Sequence, residues 1–600
     1  MKRKRERRAT PRRTSGSIAR HSSATSSNAE SWTPRSDPNS VTPITVFTAR
    51  KIITMSPGWP QARVLAVRDG RIVSLGDELD DLKPWTDRYP CEIDRRFEDK
   101  VITPGFIDPH QHPLLGAITA NLPNVAYLDT PQAYGPDIPG VKSEAEVFTR
   151  LLRYAAEMKD PGRTLLAWGW DAPAMGRHLT RQDLDRISTK RPIIVWDASE
   201  HHAYANGAFI AKRKVPKDLA LVGVGRDADG ALNGQFLGVA AATYALAEEL
   251  RNYLKPETAV GLMRSLIDMN RRNGITTTTD HAMGTLNFEL EARLLDAVFN
   301  HPDTPERLMA IPAAHALIAR HDGLANAMAA VHALQRTSTE RLAYRGVKFF
   351  ADDSFNGLTF KPGAPGYVDG TEGIWITPPA QLYAALEPWW CDGQQIFVHS
   401  IGEEAQDVTI DALQRLQNKF PRFDHRFTFE HFGMARYDQI RKLKALGACA
   451  NVNLYYIWLR GEMYPNVLGR DRAHHLSPVA TLLNAGVPTA FHSDTPVAPP
   501  RPLLGMSVGI ARYGLSENTT MCGHERLTMD QALRMATIDA AYVLGLDASI
   551  GSIEPGKLAD FAVLEQDPFA VEPMALARLG VWGTVVGGRV FPANEIRPRE

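Results

Sequence analysis

Cysteine is scarce in this chain: four residues among 600, at positions 91, 391, 449 and 522, with no Cys-x-x-Cys spacing. That excludes a disulfide framework and fits a reducing, cytoplasmic compartment. Long apolar runs are missing as well. No stretch reaches the ~18 consecutive apolar residues of a membrane-spanning helix, so no membrane partner is expected. Net charge is also absent, since 68 Lys and Arg balance 68 Asp and Glu. The balance is uneven along the chain. Lys2, Arg3, Lys4, Arg5, Arg7, Arg8, Arg12, Arg13 and Arg20 crowd the first 20 residues around a single acid, Glu6, and leave the rest net negative. Such a run reads either as a nucleic-acid or nuclear-localisation patch or as a solvated extension. Arg12-Arg13 lacks the apolar segment of an export signal behind it.

What the chain does have is length. Six hundred residues exceed what one hydrophobic core normally supports, so several units, or one large barrel with insertions, are expected. Residues 1 to 42 are rich in Ser, Thr, Pro and Arg with almost no large apolar side chain; they read as a disordered basic extension, and nucleic acid is not expected as a partner. From Ile44 the pattern changes to short β-rich runs, with Asp69-Gly70 as a type I′ hairpin signal. The end of the chain reads the same way, through Phe561 to Leu564 and Thr584 to Phe591. Residues 43 to 100 and 546 to 600 are therefore expected to pair into one discontinuous β-sandwich domain.

Between these ends, residues 101 to 545 hold short apolar strands at Val101 to Ile107, Ile275 to Thr279, Leu308 to Pro312, Val347 to Phe350, Ile396 to Val398, Phe427 to Phe429, Cys449 to Val452 and Thr489 to Phe491. Helical periodicity fills most of the later gaps, as at Glu404 to Lys419 and Tyr437 to Leu446. Strand then helix, repeated, is the pattern of an α/β fold, a (β/α)8 TIM barrel. Residues from about 120 to 272 are too long for a single crossover and read as an insertion after the first barrel strand.

The strongest chemical signal is the strand that ends in His110-Gln-His112. Residues i and i+2 of a strand face the same side, so both imidazoles can reach one ion. Lys348 lies on the fourth strand, His399 ends the fifth, His431 ends the sixth and Asp494 follows the eighth. All stand where the C-terminal rim of a barrel builds its active site. His474-His475 has no strand context and reads as a loop pair. Asp280-His281 follows the second strand in a supporting position. Trp168, Trp170 and Trp196 on the insertion are either core or a roof over the pocket.

The chain resembles the amidohydrolase superfamily, in particular its amidohydrolase-3 branch of YtcJ-like hydrolases and N-substituted formamide deformylases. The resemblance spans roughly residues 44 to 595. It rests on Pro104-Gly-Phe-Ile-Asp-Pro-His-Gln-His112, Gly346-Val-Lys-Phe-Phe-Ala-Asp352, His399-Ser-Ile-Gly402, Glu430-His431, Ser493-Asp-Thr-Pro-Val497 and Gly551-Ser-Ile-Glu-Pro-Gly-Lys-Leu-Ala-Asp560. It implies one or two divalent metal ions, usually zinc, held by His110, His112, His399, His431 and Asp494, with Lys348 as a candidate carboxylated bridging ligand. An ammonium has no lone pair, so Lys348 ligates only as its carbamate or after losing its proton. Asp494 becomes the general base for a metal-activated water. His201 or Asn206 becomes the donor that holds the substrate or the developing oxyanion. Asp353, Glu403 and His492 depart from the residues the family usually carries there, and they add titratable groups at the rim.

The reaction implied is hydrolysis of a non-peptide carbon–nitrogen bond, an amide or N-substituted formamide, of a small molecule. Fold and ligands do not fix the leaving group, so an esterase or lactonase on the same site is the alternative. A non-catalytic scaffold with a basic nucleic-acid-binding tail is a third reading, against which the full ligand set stands. A homodimer is expected by fold analogy alone.

Overall fold

The computed structural model describes residues 42 to 133 and 136 to 595. The expectation of a basic extension falls, apart from Thr42, outside the described residues. In chain order the strands begin with β1 (Ile44–Ile53), β2 (Gln61–Arg68), β3 (Arg71–Gly76) and β4 (Cys91–Pro104), and Gly105 then leads into β5 (Phe106–Asp108). A second group follows: β6 (Leu165–Trp170), β7 (Ile193–Asp197), β8 (His202–Ala205), β9 (Val224–Arg226) and β10 (Leu232–Leu237). The long middle supplies β11 (Ile275–Met283), β12 (Arg307–Pro312), β13 (Leu342–Tyr344), β14 (Val347–Phe350), β15 (Ile396–Ser400), β16 (Thr428–His431), β17 (Cys449–Val452) and β18 (Thr489–Phe491). The last strands are β19 (Phe561–Leu564), β20 (Val581–Val586) and β21 (Arg589–Pro592).

Both ends of the described chain meet in one seven-stranded sheet, ordered β21-β20-β19-β4-β1-β2-β3. The expected hairpin is present, with Asp69 (φ 51°) and Gly70 (φ 75°) both in the left-handed region that a type I′ turn requires. The strands form one continuous hydrogen-bonded sheet that curls so that its ends meet, the β2–β3 turn at Gly70 lying against the β20–β21 turn at Gly587. The continuity comes from the length of β4, 14 residues. It runs parallel to β1 over Cys91 to Ile102 and antiparallel to β19 over Val101 to Pro104, so the hydrogen-bonding crosses from one end of the chain to the other without a break. Phe47 packs on Phe97 and Phe561, and Phe97 on Trp582, so the core of this sheet draws on both ends.

Strands β5, β11, β12 and β13 pair in parallel as one four-stranded sheet, and β14 to β18 as a parallel five-stranded sheet in sequence order. The strands are buried on both faces, as parallel sheets require. Helices Glu403–Lys419 and Tyr437–Leu446 lie almost where their periodicity places them, and the first turns Ala405, Thr409, Leu413 and Leu416 inward. The two sheets touch at both margins. A parallel bridge joins Ala313 to Lys348, and at the other margin Ser493 N–H donates to Asp108 Oδ1 (3.1 Å) and Asp494 N–H to the His110 carbonyl (3.0 Å). Gly105 makes the entry to β5 feasible: a Cβ there would stand 1.9 Å from Thr276 Oγ1.

The segment after β5 builds its own five-stranded sheet, β6-β7-β8-β10-β9. It is shorter than the expected insertion of residues 120 to 272. The helix Pro256–Arg272 packs against the helix Pro113–Thr119 and runs directly into β11, so it serves the middle sheets and not the inserted one. Its buried face, with Ala259, Met263, Leu266 and Ile267, is what ties it there.

Candidate metal centre

The C-terminal ends of β14, β15, β16 and β18, together with the turn after β5, deliver side chains to one cleft of about 500 Å³. His110 and His112 leave β5 on the same side. Their Nε2 atoms each lie 3.4 Å from Asp494 Oδ1, and His431 Nδ1 lies 3.6 Å from Asp494 Oδ2. The ligand atoms of His110, His112 and Asp494 all fall within 4.8 Å of one another, as do those of His110, His431 and His492. His399 stands outside these triads, but its ring packs 4.3 Å from that of His431 and it lines the same cleft, as does Lys348.

The local backbone explains this convergence. His431 (φ 71°) and Asp494 (φ 60°) are both left-handed, a conformation that costs most side chains free energy and that the surrounding hydrogen bonds hold in place. At His431 the kink lets adjacent residues serve one site. Glu430 would face away from His431 in a regular strand, yet its Oε2 accepts from His110 Nδ1 at 2.6 Å and from Asn451 Nδ2 at 2.8 Å. With Nδ1–H donating to that carboxylate, His110 presents the Nε2 lone pair to the cleft. His281 stacks on one face of His110 at 4.1 Å and His492 on the other at 4.6 Å.

Burial holds these imidazoles neutral. Together with Lys348 it keeps His110 well below the usual range, it does the same for His431 with His399 beside it, and it takes His399 and His492 down to about 3. Burial also brings Lys348 down to about 8 and pushes Glu430 up to about 8. Burial works against the Asp494 carboxylate, but the hydrogen bond and charge of His112 outweigh it and leave Asp494 below its ordinary value. His110 Nε2, His431 Nδ1, Lys348 Nζ and both ring nitrogens of His492 are buried without a hydrogen-bond partner. Unpaired buried lone pairs of this kind are costly. Neutral imidazoles with a carboxylate between them are a donor set suited to a divalent ion such as zinc.

His201 reaches the cleft from the inserted segment, and its Nδ1 lies 2.6 Å from Asp353 Oδ1. Burial disfavours its cation, yet the Asp353 charge and hydrogen bond prevail and raise His201 above the usual imidazole value. Asn206 does not join the site. Its Oδ1 accepts from the backbone N–H groups of Ile193 and Phe209, capping the helix Gly207–Arg213, and its Nδ2 donates to the carbonyls of Ser188 and Arg191. Every hydrogen-bonding position of that amide is used. Among the tryptophans, Trp170 is fully buried in the core of the inserted segment, whereas Trp168 lines a second cavity beside the cleft.

Several residues of the site escaped sequence reasoning. Glu430 stands in the sequence only as part of the Glu430-His431 motif that carries the resemblance, with no role of its own. His492, expected only as an added titratable group at the rim, stacks on His110 and groups with His110 and His431 as possible ligands. Glu200 borders the cleft with Oε1 out of solvent and unpartnered, and burial together with the Asp494 charge lifts it to about 8. Only its place beside His201 marked it.

The amidohydrolase family model matches residues 97–592 of this chain. Protein LONG AFTER FAR-RED 3 of Arabidopsis thaliana is 26% identical over 559 residues, 90% of each chain. N-substituted formamide deformylase of Arthrobacter pascens is 26% identical over 561 residues, covering 88% of this chain and 94% of that protein. The crystal structure of an uncharacterized metal-dependent hydrolase from Pyrococcus horikoshii superposes with a TM-score of 0.67 at 20% identity, covering 88% of this chain and 99% of that one.

Proposed function

This chain belongs to the amidohydrolase family, and from that premise we propose that it is a divalent-metal-dependent hydrolase of a non-peptide carbon–nitrogen bond, an amide or N-substituted formamide of a small molecule. The observation that carries the reading is the approach of His110, His112 and His431 to Asp494 with buried, unpartnered ring nitrogens. On this reading the two parallel sheets are one (β/α)8 barrel of eight strands, with β13 and β14 a single strand interrupted at Gly346, and the seven-stranded sheet is a separate domain from both ends. The contacts of Ala313 with Lys348 and of Asp494 with His110 support closure at both margins.

His110, His112, His399, His431 and Asp494 would hold the cation, with Lys348 as its carbamate completing the set. When bound, the cation supplies Lewis acidity: it polarises the scissile carbonyl and makes water acidic near neutral pH. The chain does the rest. Asp494 accepts the water proton at a carboxylate oxygen and returns it to the leaving nitrogen. Glu430 keeps the His110 proton on Nδ1. His201, its Nδ1 tied to Asp353, presents Nε2–H to the developing oxyanion, and its raised pKa favours the charged donor.

The test is metal content by elemental mass spectrometry on chelator-free protein, for the native chain, His110→Ala and Asp494→Ala, with hydrolysis of matched formamides, amides and esters on the same samples. Near-stoichiometric metal that falls in His110→Ala, with formamide or amide hydrolysis lost in both variants, is the expected result. Protein without bound metal or activity after reconstitution refutes the reading, and turnover of esters alone refutes its bond.

A further inference from the structure

Beside the cleft lies a second chamber. The two adjoin: Asn356 and Val497 line both, and Thr495 and Pro496 continue from Asp494 into the chamber wall. Ala126, Leu128, Trp168, Met269 and Leu459 make that wall largely apolar. Its internal charges are already spent. Arg460 Nη2 donates to both oxygens of Asp171 at 2.9 Å, and the two side chains are almost fully buried. Asp129 stands exposed at the margin, where its carboxylate accepts from the Gly140 N–H. Two polar atoms of the lining are buried and unpartnered, the Trp168 indole Nε1 and Asn356 Oδ1.

We propose that this chamber binds an uncharged, largely apolar portion of the substrate, seated next to the reacting carbonyl and bearing a hydrogen-bond acceptor for the Trp168 N–H. The inference rests on the hydrolytic reading of the neighbouring centre. An ionic group inside the chamber meets no free counter-charge, because Asp171 and Arg460 neutralise each other and the Asp129 carboxylate stands outside at the exposed margin, and it loses its hydration without replacement. An alkyl or aryl group loses nothing comparable and gains by leaving water, about threefold to fourfold in affinity for each methylene buried. An acceptor on that group satisfies an indole N–H that is otherwise left unpaired. The chamber therefore selects neutral amphiphilic compounds over those that carry a charge on the same side of the scissile bond.

Phenylalkanols, which cannot be hydrolysed, test the chamber without turnover. Benzyl alcohol, 2-phenylethanol, 3-phenylpropanol and 4-phenylbutanol are titrated into the full chain and followed by saturation-transfer NMR and tryptophan fluorescence, beside a 4-phenylbutanol carrying a trimethylammonium group on the ring. Affinity is expected to rise about threefold to fourfold per methylene. The cationic analogue is expected to bind at least ~30-fold more weakly. Ala120→Trp, which fills the chamber from its half-buried rim, should erase the dependence on chain length. Leu128→Trp fills it from another wall, so a single misfolded variant does not decide the matter. A flat series, equal binding of the cation, or length dependence that survives both filled variants overturns the inference. Alcohol binding as expected with no hydrolysis of any amide or ester removes the hydrolytic reading and leaves the chamber standing. Hydrolysis with a flat alcohol series does the reverse.

Discussion

Glu430→Gln replaces the carboxyl group beneath His110 with an amide and keeps the side chain's size. In the native chain the Glu430 carboxylate accepts from His110 Nδ1 at 2.6 Å and from Asn451 at 2.8 Å, and its other oxygen lies 3.3 Å from His281 Nε2. That geometry fixes the His110 proton on Nδ1 and leaves Nε2 as the ligand atom. A glutamine in its place can turn its amide N–H toward Nδ1, which moves the imidazole proton to Nε2 and removes the lone pair from the cleft. Losing a partner of this kind typically weakens metal affinity 10- to 100-fold, or about 1.4 to 2.7 kcal/mol. Competition with a chromophoric chelator reads that shift directly, and thermal unfolding of the metal-free variant, expected to match the native chain closely, separates it from loss of the fold. Metal affinity within twofold of native would show that Glu430 does not control the His110 tautomer, and the assignment of Nε2 as the ligand atom would fall with it.

Other perturbations have equally definite outcomes. Asp560→Ala leaves the Arg307 guanidinium, which donates to both oxygens of Asp560, buried without its partner; urea unfolding should show a loss of about 3 to 5 kcal/mol, largely restored in the Arg307→Met, Asp560→Leu double variant. Burial, with the Glu291 charge beside it, raises Asp280 to about 8, and burial raises Glu291 to about 7 against three backbone hydrogen bonds. Both folded values exceed those of an unfolded chain, near 4, so the pair costs stability as pH climbs from about 4 through 8. Asp280→Asn should flatten the fall in melting temperature between pH 5 and pH 8.5, and an unchanged fall excludes the pair as its source. Asp353→Asn removes what holds His201 above its ordinary pKa, so a hydrolysis rate that declines as His201 loses its proton should decline at lower pH in the variant; coincident pH profiles count against His201 as the charged donor. Asn206→Ala should lower unfolding free energy by roughly 2 kcal/mol with metal content unchanged, because its amide caps and braces backbone only.

The strands and their terminal ligands were legible because burial on both faces writes a short apolar run, and because a ligand must follow it at the rim. His110, His112, Lys348, His399, His431 and Asp494 are recognisable on that ground alone, and all of them line one cleft. The left-handed backbone at His431 and Asp494 was not legible, since neither residue is glycine and nothing in their neighbours demands positive φ. Glu430 went unrecognised for that reason. Asn206 misled in the opposite sense: a polar residue beside a candidate histidine reads as functional, whereas the same amide at a strand-to-helix junction is a cap. The insertion was overdrawn because the helix Pro256–Arg272 has the same periodicity as an inserted helix, and only its packing partners tell the two apart. No local pattern in the two β-rich ends announces that one 14-residue strand joins them in a single sheet.

That shared strand has a consequence for synthesis. The β19 edge of β4 remains open until Phe561–Leu564 has been made, about 450 residues later. At translation rates of ~5 to 20 residues per second the wait is roughly 20 to 90 s. Throughout that interval the nascent chain carries Val101 to Pro104 as an unpaired apolar strand edge, the kind of surface that recruits other chains. A ribosome-bound intermediate of this protein is therefore a natural client for a chaperone that shields strand edges, and a chain cut short before Phe561 stays sticky however well its metal centre is assembled.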